Sequence, residues 1–151
     1  MSASGLEGRS LLPGRARGEM LLLDEPLSFW GGLDPETGLI VDAHHPQRGA
    51  GVTGKILVMP AGRGSSSSSS VLAEALRAGR GPAAVVLRRA DPIVVLGALV
   101  ARELYGTACP VVALGERYDS LMPGVEVEVD AETPAARVRE LPASDRPPAG
   151  P

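Results

Sequence analysis

Apolar positions along the chain fall into short unbroken runs separated by turns that carry glycine or proline. Lys55–Met59, Ala83–Leu87 and Val111–Leu114 are rich in Val, Leu and Ile, the pattern of strands buried on both faces. Helical spacing appears between them. Val71, Leu72, Ala75 and Leu76 share one face while Glu74 and Arg77 point elsewhere, and Gly79 with Gly81-Pro82 stops the run. Asp91-Pro92 opens a second helix as N-cap and first helical residue. Ile93–Tyr105 is then apolar on nearly every face, which predicts a mostly buried helix ended by Gly106. Glu126–Val129 alternates acid and valine, as a half-exposed strand does. The centre therefore reads strand–helix–strand–helix–strand, parallel β with crossover helices.

The front third does not fit a plain doubly wound sheet. Glu19–Trp30 carries enough leucine to begin the fold, and Leu27–Trp30 looks like a strand. Gly31–Gly38 is a long turn, Leu39–Val41 a short strand, and Gly49–Gly54 a second glycine-bearing loop. Residues 1–18, rich in Gly, Ser and Arg without periodicity, are expected to be a flexible N-terminus. Arg9, Arg15 and Arg17 would also suit a targeting peptide, but fraying is the simpler reading. From Glu140 onward Pro, Ala, Ser and Gly dominate, so 140–151 is expected to be a disordered tail. One domain, 19–139, lies between them.

Composition narrows the classes. At 151 residues the chain has room for one proper core, and with 3% aromatics that core must be built from Val, Leu, Ile and Ala. A net charge of -3 gives no reason to expect nucleic acid or an acidic membrane surface. No apolar stretch approaches the ~20 residues of a membrane span. Met20–Leu23 is stopped by Asp24 and Glu25, so no signal peptide is expected and the cytoplasm is the default. The single cysteine, Cys109, excludes an internal disulfide and cannot by itself hold an iron–sulfur cluster.

The stretch with chemical promise is Met59-Pro60-Ala61-Gly62-Arg63-Gly64-Ser65-Ser66, followed by Ser67–Ser70. It runs from a strand through a glycine loop to a helix start. Glycines let the backbone come close to a ligand, and unpaired first-turn N–H groups favour an anion. The duller reading is a flexible serine linker, or a Ser65 that only caps the helix. A helix N-terminus contributes up to ~2 kcal/mol toward an anion, about 1.5 pKa units. A hydroxyl lies far above neutral, so this loop alone makes no alkoxide at pH 7, and any reactive site here is incomplete. His44 and His45, adjacent on an extended segment, point opposite ways and share no metal; His45 is expected to be a loop hydrogen-bonder. Cys109 reads as a small buried hydrophobe, and Asp34 and Asp42 as loop carboxylates.

Several of these segments, in this order, resemble one family. Leu27-Ser28-Phe29-Trp30-Gly31-Gly32-Leu33-Asp34-Pro35-Glu36-Thr37-Gly38, His45-Pro46, Gly54-Lys55-Ile56-Leu57, Pro60-Ala61-Gly62-Arg63-Gly64-Ser65-Ser66 and Ala101-Arg102-Glu103-Leu104-Tyr105-Gly106 are similar to the small, swivel-domain subunit of the aconitase X family. The likeness spans about Leu22 to Leu114. It implies an α/β fold, a swivelling β/β/α barrel-like domain, paired with a large catalytic subunit that holds an iron–sulfur cluster. The implied activity is dehydration of a hydroxy acid, cis-3-hydroxy-L-proline or mevalonate 5-phosphate, active only in the pair. Ser65 would be the proton-abstracting base, while Gly62, Arg63, Gly64 and Ser66 would contact the substrate. The cluster would polarise the leaving hydroxyl as a Lewis acid. Aconitases and isopropylmalate isomerases carry an arginine where Ser67 stands here, so a citrate- or malate-type substrate is disfavoured. With the family's distribution, a composition rich in Arg, Ala and Gly that looks bacterial leans the resemblance toward the hydroxyproline substrate.

A rival comes from another class. Val100–Val112 also resembles the phosphohistidine swivel domain of phosphoenolpyruvate-using enzymes, which would make this a phosphocarrier or non-catalytic module. The position of that domain's histidine is Leu96 here, which accepts no phosphate, so shared fold is favoured over shared function.

Overall fold

The computed structural model describes residues 5–64 and 66–142. Seven strands, β1 (Leu6–Leu12), β2 (Arg15–Leu22), β3 (Ile56–Met59), β4 (Ala84–Leu87), β5 (Val111–Ala113), β6 (Glu126–Asp130) and β7 (Ala135–Glu140), form a closed barrel in the order β1-β5-β4-β3-β2-β6-β7. The stretch β2-β3-β4-β5 is parallel, and β1, β6 and β7 close it with antiparallel ladders. A single turn α1 (Phe29–Gly32) and helices α2 (Ser67–Arg77) and α3 (Pro92–Tyr105) complete the elements that frame the site.

The central runs are unbroken because each strand feeds two cores. Ile56, Val58, Ala84, Val86 and Val112 fill the barrel with Met20, Val127, Val129 and Val138. Their alternate neighbours Leu57, Met59, Val85, Leu87 and Val111 face outward onto Leu72, Ala75, Leu76, Val94 and Ala98 of the helices. The crossover helices thus cover only one side of the barrel.

Several expectations from the sequence are corrected. Within the expected flexible stretch 1–18, residues 1–4 lie outside the described residues and 6–18 is not frayed: β1 and the first part of β2 lie there, and the ladder runs from Leu6 to Glu140, beyond both ends of 19–139. The pairing that stabilises β1 is remote, since Arg9 sits opposite Ala113 and Leu6 opposite Val138. Arg15 and Arg17 face Asp130 and Glu128 across β2–β6 at 3.0 Å each, while Ala16, Gly18 and Met20 alternate with them. Glu140 belongs to β7 and Leu141 is fully buried, so the expected tail of 140–151 is corrected at its start; residues 143–151 lie outside the described residues. Leu27–Trp30 is not a strand but a single bridge, Leu27 to Gly62, followed by the α1 turn. Leu39–Val41 likewise makes only isolated bridges.

Helix α3 buries one face, not all of them. Val94, Gly97, Ala98 and Ala101 pack inward, whereas Leu96 and Leu104 are 48% and 69% exposed. Its ends follow the expectation: Asp91 accepts from the N–H groups of Ile93 and Val94, and Gly106 takes a left-handed φ of 67°. Helices α2 and α3 touch at Gly97, where an added Cβ would stand 2.8 Å from the Ser69 carbonyl oxygen and 3.1 Å from the Leu72 Cβ. Gly97→Ala gains about 1 kcal/mol of helix propensity but must push the helices apart, at a cost of about 1–3 kcal/mol. The expected result is a lower urea midpoint; an unchanged or higher midpoint would show slack between the helices.

Cys109 is 1% exposed among the outer core residues, and burial pushes its thiol up to about 12 from an ordinary 9.0. The native thiol is expected to resist disulfide reagents at pH 8 and to react once the chain is unfolded. The folded state keeps the proton that the unfolded state loses above pH 9. Stability should therefore fall as pH rises from about 9 toward 12, by at most ~1.4 kcal/mol per unit from this group. Burial also raises the Tyr118 hydroxyl to about 12, so the alkaline profile of Cys109→Ala should be shallower than the parent's, most visibly between pH 9 and 10, rather than flat.

Candidate functional site at the glycine–serine loop

Strand β3 delivers the chain at Met59 into Pro60–Gly64, and α2 begins at Ser67. The serines Ser67–Ser70 are thus the first turn of the helix and not a linker, which places the start four residues before Val71. Ser66 occupies the N-cap position with helical φ and ψ of -58° and -21° and makes no side-chain cap. The cap role expected of Ser65 falls on a residue outside the described ones. The carbonyl of Ser66 instead accepts from the Ser69 N–H at 3.1 Å and the Ser69 hydroxyl at 2.7 Å.

Asp91 anchors the loop. Its Oδ1 accepts from Ile93 N–H at 2.9 Å, capping α3, and its Oδ2 accepts from Gly62 N–H at 2.8 Å. A Cβ on residue 62 would lie 2.6 Å from that same oxygen, so only glycine lets the loop sit against the carboxylate. Next along, Arg63 N–H donates to the Leu27 carbonyl at 3.2 Å. The Arg63 guanidinium stands 3.6 Å from Glu25, with both side chains substantially exposed, so this pair is easily exchanged for another anion.

A second anchor comes from Ser68, the one buried serine of the run among the described residues. Its Oγ accepts from Trp30 N–H at 3.2 Å and lies 3.3 Å from the Ser28 hydroxyl, which donates to the Trp30 carbonyl at 3.0 Å. Consistency of donors makes Ser68 the donor to Ser28. Gly64, at φ +98°, passes so close that a Cβ there would meet the Ser28 Oγ at 2.5 Å. Trp30 itself is 63% exposed beside the loop.

Of the five residues expected at the site, Gly62, Arg63, Gly64 and Ser66 are contiguous on this loop, and Ser65 lies outside the described residues. The N–H groups of Gly62 and Arg63 are occupied within the chain, which removes two of the expected anion donors; those of Gly64 and Ser66 have no acceptor among the described residues. The narrow recess between Phe29, Gly62, Gly64, Ser68, Asp91 and Val94 is about 30 Å³, room for roughly one or two water molecules. It cannot enclose a hydroxy acid.

The other candidates are spent on local structure. His45 is buried, with Nδ1 accepting from Gln47 N–H at 3.0 Å and Nε2 facing the Glu25 carbonyl at 3.1 Å, the loop role expected of it. Asp34 accepts from Glu36 N–H and Asp42 from His44 N–H, each at 2.9 Å within its own turn. Ser28, Ser68 and the loop-anchoring half of Asp91 went unseen in the sequence. The Asp91-Pro92 pair signals a cap, and a cap uses one carboxylate oxygen; the other was available as a clue.

A closed mixed barrel with two crossover helices on one side and a glycine loop at a helix start is a swivel-type β/β/α domain. The chain belongs to the aconitase X family: the aconitase X swivel domain matches residues 5–138. Cis-3-hydroxy-L-proline dehydratase of Pseudomonas aeruginosa is 50% identical over 113 residues, which are 75% of this chain and 20% of that protein. The chain thus spans about a fifth of the length of the hydroxyproline dehydratases it matches. The phosphomevalonate dehydratase small subunit of Thermococcus kodakarensis is 37% identical over 135 residues, 89% of this chain and 96% of that one. The crystal structure of Thermococcus kodakaraensis aconitase X in its holo-form superposes with a TM-score of 0.77 at 36% identity, covering 90% of this chain and 100% of that chain.

Proposed function

We propose that this chain is the swivel part of an iron–sulfur-dependent hydro-lyase that dehydrates cis-3-hydroxy-L-proline to a pyrroline-2-carboxylate, working with a large aconitase X catalytic chain. The observation that carries this reading is the 50% identity over 113 residues to the Pseudomonas aeruginosa dehydratase. Ser65 takes the proton beside the substrate carboxylate. Arg63 and the open N–H groups of Gly64 and Ser66 steady the anion. The 30 Å³ recess supports a site completed by a second polypeptide, because most of the substrate has to be enclosed by something other than this chain.

Residues of this chain do not fit a cluster. Among the described residues there is no group of three or more His, Cys, Asp or Glu able to hold a metal, and the one cysteine is sealed in the core with its proton held. The reading assigns the cluster of the proposed pair to the partner. No helix among the described residues is long and apolar enough to cross a membrane.

A second reading has its own support: the mutual coverage of 89% and 96% with a phosphomevalonate dehydratase small subunit favours mevalonate 5-phosphate as substrate. Co-expressing the chain with a large aconitase X subunit and assaying both substrates separates the two. Consumption of cis-3-hydroxy-L-proline by the pair alone is the expected result. Consumption of mevalonate 5-phosphate alone selects the second reading. Activity of the isolated chain, or none with either substrate in a cluster-loaded pair, defeats both.

A further inference from the structure

Around the barrel rim from the glycine–serine loop lies a larger depression of about 460 Å³. It is bounded by β1 and by the turns that follow β4 and β5, and four arginines line it: Arg9, Arg88, Arg89 and Arg117. Arg88 is fixed in place, with its guanidinium paired to Asp119 and lying 5.0 Å over the ring of Tyr118. Arg9, Arg89 and Arg117 are exposed and face no carboxylate in an ion pair among the described residues. Arg15, Arg17, Arg77 and Arg102, by contrast, each have one. The floor is low because residue 8 is glycine: β1 approaches β5 so closely that a Cβ there would stand 2.6 Å from the Ala113 carbonyl oxygen. Glu7 is the acidic lining residue, and Glu116 and Asp119 lie close enough to act on the charge of Arg88.

The turn carrying Arg88 and Arg89 is tied to the site loop. Both of their N–H groups donate to the Pro60 carbonyl, at 3.1 and 3.3 Å, and Asp91 then holds Gly62. The groove and the glycine–serine loop therefore share one frame at the carboxyl ends of the parallel strands, where ligands of α/β folds collect. Three unpaired guanidiniums around a concavity of small-molecule size call for an oxyanion with several acceptor oxygens. The net charge of -3 disfavours general attraction of anions, so any binding must be local.

We propose that this arginine groove is a binding site for the phosphoryl group of a small molecule, taken by Arg9, Arg89 and Arg117 with Arg88 as a fixed wall. The proposal is independent of the hydro-lyase reading, because binding is measured on this chain without turnover. A phosphate dianion offers oxygens to more than one guanidinium fork at once, which a single carboxylate on an acidic peptide does not.

The test is titration of the full 151-residue chain at low ionic strength with inorganic phosphate and, separately, with glycerol 3-phosphate, followed by calorimetry and amide chemical shifts. The expected result is saturable one-site binding, with shifts gathered at 7–9, 88–90 and 113–117. Arg89→Gln with Arg117→Gln should weaken it roughly tenfold or more, the worth of a charge-assisted hydrogen bond. Arg77→Gln on α2 removes the same kind of charge elsewhere and should change little. If the double variant fails to fold, Arg9→Gln on the exposed face of β1 should weaken binding by itself. Lack of saturation, equal affinity for chloride, or equal weakening by Arg77→Gln overturns the proposal. So does a pair with the large chain in which the groove is covered and phosphate no longer binds; the groove is then a docking surface.

Discussion

Ser65→Ala in the assembled, cluster-loaded pair is expected to lower turnover by about 10²- to 10⁴-fold, the usual contribution of a positioned general base. Substrate affinity and assembly should change little. The alanine removes one oxygen from a loop whose placement depends on other atoms: Gly62 is held by Asp91, Arg63 by the Leu27 carbonyl, and the helix start by Ser68. Ser66→Ala is the matched control, since its hydroxyl neither caps α2 nor bonds within the chain among the described residues; a fall of only a fewfold is expected there. Retained turnover in Ser65→Ala would place the base elsewhere. Equal loss in both variants would show that the loop, not one hydroxyl, had been damaged.

Asp91 should give the second large effect, and it divides stability from activity. Asp91→Ala removes the α3 cap, worth about 1 kcal/mol, and strands the Gly62 N–H, a further cost of about 1–3 kcal/mol. A loss of about 2–4 kcal/mol is expected in denaturant unfolding. Asp91→Asn is more telling. Its amide oxygen can still cap Ile93, but its NH₂ cannot accept from Gly62. Stability should then fall by about 1–2 kcal/mol, while turnover falls up to about 100-fold, because a shift near 1 Å at the reacting groups is that costly. Faster hydrogen exchange of the Gly62 amide in the asparagine variant would mark the loosened loop. Full activity in Asp91→Asn would mean the bond to Gly62 is not what holds the loop.

The parts of this fold that could be read from the sequence are those whose reasons are local. Lys55–Met59, Ala83–Leu87 and Asp91–Gly106 announce themselves through apolar runs, an Asp-Pro start and a glycine stop, and β3, β4 and α3 match them within a residue or so. β1 and the start of β2 escaped because their stability comes from partners about a hundred residues away; Glu7 and Arg9 look like loop residues until β5 and β7 are beside them. β7 hid for the same reason, its Arg137 and Arg139 alternating with Ala136 and Val138 in the barrel. At the site, glycine spacing and serine content marked the Pro60–Ser66 loop as the candidate. They did not reveal which N–H groups were already taken, because Leu27 and Asp91 reach it from separate parts of the chain. The outward half of α3 was misread because Leu96 and Leu104 look like core residues, yet the barrel covers the helix from one side only.

The seam that closes the barrel sets Leu6 opposite Val138, so the first and last strands run side by side. Entry and exit of the domain are therefore neighbours, and a polypeptide attached at one would emerge beside the other. Such a unit can be spliced into a longer protein or cut free from it with little change to its interior. That portability accounts for relatives of both kinds, one in which the matched stretch is a fifth of the whole and another in which it is nearly all.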